Sequence, residues 1–489
     1  MSLELELLAG DPHDRALIEA AHPPRWENPT PSGRYHLVVV GGGTAGLVSA
    51  IGAASLGGKV ALVEARLMGG DCLNFGCVPS KGIIAAGRAA QAVREAGEFG
   101  VRSGEVRVDF AAAMERMRLL RARIAKNDSA ERLRGLGVDV YFGRATFVAP
   151  DALEVDGRRL VFARAILATG SRPATFELPG LAEAGFLTNE TIFSLTELPR
   201  RLAVVGAGPV GCELAQTFRR LGSEVTVLSR GSRLLPKDDA DAASLLEARF
   251  RTEGIRLELG AKLLRVEPDR TLVHERGHIA ADAILVAVGR ARVVDGLGLE
   301  AAGVASGPQG VSVDDHLRTT NPRIFAAGDV ASRFQFTHAA DALARVALQN
   351  ALFFGRKRQS ALVVPWCTYT DPEIAHVGAA SGAATFTVPL DEVDRAVLDG
   401  ETEGFARIHA DARGRILGAT IVARHAGEMI GEVSLAMTAG LGLADLARTI
   451  HPYPTQAEAL KKLGDAFLRT KLTPRLRSVL RKVLQWRPW

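Results

Sequence analysis

Cysteine is scarce in this sequence, with four residues among 489. So few cysteines exclude a fold held together by a framework of structural disulfides. No stretch of 18 apolar residues runs uninterrupted without glycine, so no membrane-spanning helix is expected. Residues Met1–Glu6 are acidic where a signal peptide would be basic. These absences favour a globular protein of the cytoplasm.

The bulk composition is ordinary for a soluble globular protein, with 47% hydrophobic and 24% charged residues. A chain of this length is expected to hold two to four domains. The net charge of +5 and the pI near 9.1 would suit a nucleic-acid partner. The basic residues are spread along the chain, however, and no signature of DNA or RNA binding is present, so we expect no nucleic-acid partner.

Two of the four cysteines, Cys72 and Cys77, lie five positions apart just downstream of a glycine-rich loop. On an ideal helix that spacing gives a rise of about 7.5 Å, which exceeds the roughly 7 Å limit for the Cα atoms of a disulfide. If the two cysteines bond, the backbone between them must leave helical geometry. Asn74 and Gly76 permit such a break, and Pro79 is typical of a new helix start.

The surroundings of Cys77 favour its thiolate. Lys81 supplies a positive charge, and a helix that starts near Pro79 supplies a positive dipole end. Two alternatives are a pair of reduced, buried cysteines and half of a zinc site. The zinc alternative needs further ligands nearby, and the next histidine is His274. A redox-active pair is therefore the preferred interpretation, and no metal site is expected.

A dinucleotide-binding fingerprint precedes the cysteine pair. A predicted strand at 36–40 runs into a G-x-G-x-x-G loop, a small-residue helix at 47–56 and a second strand at 59–63. Glu64 closes that second strand, where an acid accepts a hydrogen bond from a ribose hydroxyl. The loop glycines, which let the backbone approach a pyrophosphate at the helix N-terminus, are Gly41, Gly43 and Gly46.

The same pattern occurs a second time. Predicted strands at 201–205 and 224–228 flank a helix that extends through Arg220. One such loop is weak evidence, but two in full strand–helix–strand context predict two dinucleotide sites. The glycines of the second loop are Gly206, Gly208 and Gly211.

The second copy carries Ser229 where the first carries Glu64. A serine followed by Arg230 and Arg233 suits a ribose 2′-phosphate better than a free ribose. The alternative is that these arginines are solvated surface residues. We expect the second site to prefer NADPH over NADH.

The remaining chain divides into an N-terminal extension, an α+β segment and a basic tail. The extension, residues 1–34, ends in a proline-rich segment that is typical of a linker, and it is either an ordered arm or a loose tail. From about Trp366, predicted strands at 405–409 and 416–422 and helices at 428–439 and 443–447 indicate a separate α+β domain without a nucleotide loop.

The order of these motifs resembles the class I pyridine nucleotide-disulfide oxidoreductases, a family that includes dihydrolipoyl dehydrogenase, glutathione reductase and mercuric reductase. The resemblance covers roughly residues 35–472 and includes Ala168-Thr169-Gly170 and Ala326-Ala327-Gly328-Asp329. It implies an α/β fold with two Rossmann-like dinucleotide-binding domains and a C-terminal α+β dimerisation domain. The predicted boundaries are 1–34 for the extension, 35–172 for the FAD-binding domain, 173–290 for the NAD(P)H-binding domain, 291–364 for the return of the FAD domain, 365–473 for the dimerisation domain and 474–489 for the tail.

The resemblance also implies a homodimer, with active sites shared across subunits, and a route for electrons. Hydride passes from NAD(P)H to FAD, and the reduced flavin opens the disulfide. Cys77 is then the thiolate facing the flavin and Cys72 the thiol that meets substrate, with Lys81 and Glu213 as an ion pair beside the flavin. The cofactor-binding residues implied are Gly41, Gly43, Gly46, Glu64, Gly70, Lys81, Thr169, Gly170, Gly328, Asp329 and His338, and Gly206, Gly208, Gly211, Ser229, Arg230, Arg233 and Gly289.

The C-terminal motif departs from the disulfide reductases of this family. Glu458 is present, but Tyr453 stands where those enzymes have a catalytic histidine. A phenol of pKa about 10 is a poorer base at neutral pH than an imidazole of pKa about 6.5. Tyrosine at this position is similar to mercuric reductase, where a soft metal ion receives the electrons. His451 would share a face with Tyr453 if residues 451–453 were extended, and it is therefore a candidate base.

The expected activity is thus mercuric reductase-like, with a disulfide or a thiophilic metal ion as acceptor. Mercuric reductases also carry a C-terminal cysteine pair, whereas Cys367 is the last cysteine here, so inefficient turnover of mercuric ion is expected. Cys212 and Cys367 are predicted to be small buried hydrophobes. Dihydrolipoyl dehydrogenase is an alternative that Ser229 and Tyr453 disfavour. A membrane-surface flavoprotein that acts as an electron-transfer partner is another.

The tail beyond Pro474 predicts a basic amphipathic helix. Its apolar residues fall at helical spacing and its arginines and lysine lie opposite, with Trp486 and Trp489 as aromatic anchors. The helix is expected either to lie on a membrane surface or to pack against the protein's own dimer.

Overall fold

The computed structural model describes residues 7–8 and 10–487. The acidic residues 1–6, from which no signal peptide was expected, and Trp489, an expected aromatic anchor of the tail, lie outside that range. The chain divides into two compact units, one of residues 1–232 and 250–362, the other of residues 233–249 and 363–489. The boundaries expected between the FAD- and NAD(P)H-binding domains remain predictions.

The strands are β1 (Arg34–Val40), β2 (Val60–Glu64), β3 (Val138–Phe142), β4 (Thr146–Ala149), β5 (Ala152–Val155), β6 (Arg158–Leu167), β7 (Ser171–Pro173), β8 (Arg201–Val205), β9 (Glu224–Ser229), β10 (Arg256–Leu259), β11 (Leu263–Val266), β12 (Leu272–His274), β13 (Gly277–Ile279), β14 (Ala283–Val286), β15 (Arg290–Arg292), β16 (Ser306–Gly307), β17 (Gly310–Val311), β18 (Ile324–Ala326), β19 (Pro365–Thr368), β20 (Glu373–Gly378), β21 (Ala384–Pro389), β22 (Phe405–Ala410) and β23 (Ile416–Ala423).

The helices are α1 (Pro12–Ala21), α2 (Thr44–Ser55), α3 (Gly70–Asn74), α4 (Cys77–Glu95), α5 (Phe110–Ala125), α6 (Ala130–Gly135), α7 (Leu181–Ala184), α8 (Pro209–Leu221), α9 (Ala240–Thr252), α10 (Leu299–Ala302), α11 (Thr337–Leu352), α12 (Asp394–Leu398), α13 (Ala426–Thr438), α14 (Leu443–Arg448), α15 (Glu458–Lys471) and α16 (Pro474–Trp486).

The first unit is built around a sheet of order β3-β2-β1-β6-β5-β4, with β18 also paired to β6. Strands β3, β2, β1, β6 and β18 run parallel, with Val38 in register with both Ala61 and Ala165. Strand β2 is buried throughout except for Glu64 at its end, as parallel strands covered on both faces are. Helices α2 and α11 contribute to the same buried core, so the first glycine loop is carried on a rigid sheet edge.

A second parallel sheet in this unit has the order β10-β9-β8-β14. Ala203 of β8 is in register with Thr226 of β9 and with Ile284 of β14. Helix α8 follows β8 and leads into β9, so the second fingerprint forms the predicted strand–helix–strand unit. Both sheets thus present a glycine loop at the carboxyl end of a parallel strand, where nucleotides bind in such folds.

The N-terminal extension is an ordered arm over its described residues. Helix α1 contacts α5 through two ion pairs, Asp11–Arg118 at 2.8 Å and Asp14–Arg121 at 2.5 Å. Further along, the Asn28 side chain accepts from Phe142 N at 2.7 Å and donates to Phe142 O at 2.8 Å. Asn28 therefore caps the open edge of β3, which would otherwise be free to pair with another chain.

The second unit contains an antiparallel sheet of order β19-β20-β23-β22-β21. Residues from this sheet and from α13, α14 and α15 form one buried core, which includes Ile421, Val433 and Leu463. The predicted α+β segment is therefore present, with its elements within two residues of the expected bounds. Helix α16 follows α15 after a short break and has no buried residue. Among residues 7–8 and 10–487, no helix is long and apolar enough to cross a membrane.

Candidate active site

The backbone leaves helical geometry between Cys72 and Cys77, as the sequence predicts. Helix α3 ends at Asn74, and Gly76 (φ −127°, ψ −113°) precedes the first residue of α4. Helix α4 starts at Cys77, two residues before Pro79, which lies inside the first turn, where its missing N–H has no helical partner anyway. Cys77 therefore sits at the positive end of a 19-residue helix.

The two cysteines are free thiols that interact with one another. A hydrogen bond from Cys72 lowers the pKa of Cys77 to about 6, with further stabilisation of the thiolate by Thr337 and by the charge of Lys81. Thr337 Oγ1 lies 3.4 Å from Cys77 Sγ. The same hydrogen bond, together with burial, raises the pKa of Cys72 well above its ordinary value. In this reduced state the negative charge belongs to Cys77 and the proton to Cys72.

Lys81 and Glu213 lie together as an ion pair. Lys81 Nζ is 2.8 Å from Glu213 Oε2, and the Glu213 side chain is 93% buried. Lys81 is one turn beyond Cys77 on α4, whereas Glu213 is on α8, so the pair joins the cysteine segment to the helix of the second glycine loop. Sequence spacing alone could not bring residues 132 positions apart together.

Polar residues that the sequence analysis did not identify hold the cysteine segment from the outside. Arg121 Nη1 donates to Asn74 O at 2.8 Å, and Arg121 is itself paired with Asp14. On the other side, Asn189 Nδ2 donates to Asp71 Oδ1 at 3.1 Å and to Phe75 O at 3.0 Å. No local motif marks Arg121 or Asn189, because their partners are carbonyls and carboxylates distant in sequence.

The first glycine loop has the shape that a dinucleotide requires. A Cβ on Gly46 would lie 1.8 Å from Gly41 O, and a Cβ on Gly70 would lie 2.6 Å from Gly43 Cα. Gly43 is the N-cap of α2 and provides no side-chain cap, so the first-turn N–H groups stay available to a pyrophosphate. These close approaches fit FAD bound at this loop.

Glu64 lies at the end of β2 with its carboxylate bound to backbone. It accepts from Gly42 N at 2.5 Å and from Arg66 N at 2.6 Å. Burial raises the pKa of Glu64, and the bonds from Gly42 and Arg66 oppose that rise. The acid is thus positioned at the loop, as its place in the fingerprint predicts.

The remaining residues expected at the flavin are distributed over the same unit. Asp329 accepts from Ser171 Oγ at 2.5 Å, and burial raises its pKa. Arg290 bridges two carboxylates, with Nη2 3.1 Å from Asp71 Oδ2 and Nε 3.8 Å from Asp329 Oδ2. The other expected residues are Thr169, whose hydroxyl donates to Val293 O at 2.7 Å, Gly170 at φ +70°, Gly328 at φ +80°, and the exposed His338, whose ring stacks on Phe336.

The second glycine loop repeats the geometry of the first. A Cβ on Gly211 would lie 2.3 Å from Gly206 O, and Gly208 caps α8 without a side-chain hydrogen bond. Ser229 is at the end of β9, and Arg230 next to it is exposed. Gly289, at φ +131°, lies just before β15. The loop therefore fits a second dinucleotide.

Arg233 belongs to the second unit, where its guanidinium donates to Pro236 O at 2.8 Å. Within that unit Trp366 Nε1 donates to Asp238 Oδ1 at 2.7 Å, and Arg407 pairs with Asp239 and Asp241 at 2.8 Å each. The segment that carries Arg233 is thus bound to the α+β segment. This grouping could not be read from the sequence, where residues 233–249 follow the second fingerprint directly.

The C-terminal motif places Tyr453 and His451 in different surroundings. Tyr453 is 71% exposed, and its hydroxyl donates to Asp394 Oδ2 at 2.8 Å, which raises the pKa of the phenol. The His451 ring is nearly buried, with Nε2 3.1 Å from Glu432 Oε1 and Nδ1 3.2 Å from Thr449 O. Residues 451–453 belong to no helix or strand, and the His451 imidazole is bound to Glu432, whereas the Tyr453 hydroxyl is bound to Asp394, so the role of His451 as a base stays a prediction.

Glu458 does not orient Tyr453 in the way a glutamate orients the histidine of the disulfide reductases. Its Oε1 is 3.9 Å from Lys462 Nζ, and its buried Oε2 has no hydrogen-bond partner within the described part of one protomer. Cys212 is fully buried, as predicted, whereas Cys367 is only half-buried, and each sulfur lies 3.6 Å from a backbone carbonyl oxygen. No cluster of three metal-ligating side chains occurs among residues 7–8 and 10–487.

Two dinucleotide loops and a thiol–thiolate pair in one chain define a nicotinamide- and flavin-dependent dithiol oxidoreductase. The family model described as pyridine nucleotide-disulphide oxidoreductase matches residues 35–344, and its dimerisation domain matches residues 364–463. The chain belongs to the pyridine nucleotide-disulphide oxidoreductase family, whose members use FAD and a pyridine nucleotide.

Relatives with different acceptors resemble this chain to a similar degree. Mercuric reductase from Bacillus cereus is 36% identical over 444 residues, covering 87% of this chain and 70% of that relative. Dihydrolipoyl dehydrogenase from Chlamydia muridarum is 33% identical over 445 residues, covering 87% and 95%. A Cu(II) complex of the HOCl-induced flavoprotein disulfide reductase RclA from Escherichia coli is 28% identical, with a TM-score of 0.79 and coverage of 87% and 99%.

Proposed function

We propose that this enzyme is an NADPH-preferring reductase of the cytoplasm whose Cys72–Cys77 pair passes two electrons to a thiophilic metal acceptor, either one mercuric ion or two Cu(II) ions. Bound FAD supplies the chemistry of taking hydride from the nicotinamide and returning two electrons to the disulfide. The residues that would hold it are the glycines of the first loop together with Glu64 and Asp329. A disulfide is the second acceptor class.

The electrostatics of the cysteine pair support the reductase role. Breaking the disulfide consumes two electrons and one proton, and leaves one thiolate and one thiol. The thiolate is stabilised at Cys77 by its helix terminus, Thr337 and Lys81, and the proton remains on Cys72. Such a pair offers sulfur ligands to a soft cation at neutral pH, where an ordinary cysteine is mostly protonated.

Tyr453 is the observation that favours a metal ion over a disulfide. A disulfide substrate releases a thiolate that an acid must protonate, whereas a metal ion that gains two electrons needs no proton. Because the Tyr453 hydroxyl donates to Asp394, which raises its pKa, the phenol is a weaker acid than the protonated histidine of the disulfide reductases, and almost no phenolate is present at neutral pH to act as a base. RclA, whose structure resembles this chain, forms a complex with Cu(II), which supports a metal ion as a ligand of this chain.

The dimerisation domain supports a homodimer in which each active site draws on both subunits. In that assembly Tyr453 and Glu458 of one subunit would complete the site that contains Cys72 of the other. The buried, unpartnered Oε2 of Glu458 supports a contact that one protomer does not supply.

The preference for NADPH rests on Ser229 and Arg230 at the end of β9. Serine carries no charge to repel a 2′-phosphate, and the exposed guanidinium of Arg230 is free to reach it. Ser229→Glu is expected to raise the KM for NADPH at least tenfold and to lower the KM for NADH. A Ser229→Glu enzyme with an unchanged NADPH/NADH ratio of kcat/KM would contradict the assignment.

The acceptor is tested by anaerobic reduction of the FAD-loaded enzyme with NADPH. Stopped-flow reoxidation is then followed with mercuric ion, Cu(II), lipoamide, glutathione disulfide and a quinone as separate arms. We expect fast reoxidation by at least one metal ion and slow reoxidation by both disulfides. Cys72→Ser should abolish the metal reaction, and Cys367→Ser, a cysteine of the other unit, is the matched control.

Two outcomes contradict the proposal. Reoxidation by lipoamide faster than by either metal ion would assign the enzyme to the disulfide reductases. Equal metal reactivity in the Cys72→Ser and wild-type enzymes would show that the pair does not carry the electrons.

Tyr453→His is expected to raise the rate with lipoamide, since it restores an acid at the position of the family's histidine.

A further inference from the structure

Helix α16 is a fully exposed amphipathic helix. None of its residues is buried, and its apolar side chains are exposed by 40% at Leu476 to 85% at Trp486. The N-terminus of the helix is nevertheless stabilised, because Pro474 occupies its first turn and Thr473 Oγ1 accepts a hydrogen bond from Leu476 N at 3.3 Å. A stable helix with an uncovered apolar face requires an occupant for that face.

The distribution of charge around α16 indicates the occupant. At 100° per residue, Leu476, Val479, Leu480, Val483, Leu484 and Trp486 fall within an arc of about 160°. The four cations flank both borders of this arc, with Arg475 and Lys482 on one side and Arg477 and Arg481 on the other. Ser478 and Gln485 lie opposite the arc, and no acidic residue follows Asp465. Cations at the borders of an apolar face can extend to lipid phosphates while that face enters the acyl region.

A loop of the other unit, residues 353–358, has the same chemistry. Phe353 and Phe354 are exposed by 51% and 95%, and Arg356, Lys357 and Arg358 follow them directly. Phe354 has φ +54°, which is uncommon for a bulky side chain.

The loop is held in place rather than frayed. Asn350 accepts from Lys357 N at 3.0 Å and donates to Lys357 O at 2.9 Å. Beside the loop, a cavity of about 330 Å³ is lined by His316, Arg318, Gly355, Arg356 and Arg358. Arg318 and Arg358 also pair loosely with Asp314 and Asp315, at 3.7 and 3.9 Å. The cavity is therefore cationic on balance.

We propose that the protein docks on an anionic lipid bilayer by inserting the apolar face of α16. The loop 353–358 of the other unit has the same chemistry and is tested as a separate contact. A second copy of the chain is the less suitable occupant, because both surfaces are cationic and the chain as a whole carries +5. A bilayer that contains anionic phospholipid supplies both the apolar depth and the negative headgroups. The proposal is independent of the acceptor assigned above.

The test is co-sedimentation of the FAD-loaded, full-length enzyme with vesicles of phosphatidylcholine, with and without 30 mol% phosphatidylglycerol. Val479→Asp/Val483→Asp places two charges in the apolar face of α16, and Ser478→Asp/Gln485→Asp places the same two charges on the opposite face. We expect the first variant to lose at least tenfold in partition coefficient and the second to lose less than threefold. Phe353→Ser/Phe354→Ser is expected to lose several-fold.

Each further measurement supports or overturns the proposal. Binding of wild type to anionic but not neutral vesicles, weakened by 0.5 M NaCl, supports it. Equal partition of the two aspartate variants would overturn insertion of the apolar face. Conversion of dimer to monomer by Val479→Asp/Val483→Asp in analytical ultracentrifugation would overturn it in favour of packing between subunits. NADPH oxidation in solution should be unchanged in all three variants, which separates a docking defect from a catalytic one.

Discussion

The buried ion pair between Asp14 and Arg121 links the N-terminal arm to the cysteine segment, and we predict that removing one of its partners lowers the stability of the protein. Both side chains are 1% exposed, and their charged atoms are 2.5 Å apart. Arg121 also donates to Asn74 O, between the two cysteines, and Asp14 accepts from Leu8 N at 3.0 Å. Asp14→Ala removes one charge and leaves the other buried.

The expected cost follows from what the variant leaves behind. Removing one partner of a buried ion pair costs about 3–5 kcal/mol, because the remaining charge has lost its counter-ion without regaining water. Loss of the bond from Leu8 N adds about 0.5–1.5 kcal/mol. A loss of about 4 kcal/mol raises the unfolding equilibrium constant by nearly three orders of magnitude. Burial already lowers the pKa of Arg121, because water does not solvate its guanidinium, so water cannot replace the lost carboxylate.

The measurement is thermal and urea unfolding of the FAD-loaded enzyme by circular dichroism. At roughly 2–4 °C per kcal/mol, Asp14→Ala should lower the unfolding midpoint by on the order of 10 °C. Glu105→Ala is the matched control, since the Glu105–Arg107 pair has 76% and 87% exposed side chains and should contribute less than about 1 kcal/mol. Asp14→Leu/Arg121→Met should recover most of the loss, because an apolar pair leaves no unpaired charge.

Equal shifts for Asp14→Ala and Glu105→Ala would refute the reasoning. So would a double variant that is less stable than Asp14→Ala alone, since the cost would then come from packing rather than from the uncompensated charge. The Asp14→Leu/Arg121→Met enzyme also lacks the donor to Asn74 O. A change in its cysteine alkylation rate at normal stability would show that Arg121 positions the redox segment.

Three other predictions concern the site itself. The alkylation rate of reduced enzyme by iodoacetamide should be flat above pH 7 and fall tenfold per pH unit below about pH 6, because Cys77 has its pKa lowered to about 6. Cys72→Ala should raise the pH of that midpoint, because it removes the hydrogen bond to Cys77. Lys81→Met should also raise it, because it removes a positive charge. A midpoint that is unchanged in both variants would contradict these causes. Gly46→Ala should yield protein with less than a tenth of the FAD of wild type by absorbance, since its Cβ would lie 1.8 Å from Gly41 O; full occupancy would contradict that geometry.

Much of the fold was predictable because it depends on local pattern. The strands β1, β2, β8 and β9 lie within two residues of their expected bounds, since runs of valine and leucine mark them, and β1 and β8 end directly at the glycine loops. The break between Cys72 and Cys77 followed from the reach of a disulfide and from Gly76. The partner of His451 could not be predicted, because the contact that holds its imidazole comes from Glu432, 19 residues away.

The sequence by itself determined the class of chemistry. Two glycine loops, a Cys-x4-Cys segment and a tyrosine in the place of a histidine are local signals, which can be recognised without knowing the tertiary structure. Only the tertiary structure decided what surrounds them. It brought Glu213 to Lys81, Thr337 to Cys77 and Arg121 to Asn74, and it left α16 uncovered. Those contacts join residues 47 to 260 positions apart, and they form because burial of the sheets and helices fixes where distant side chains meet.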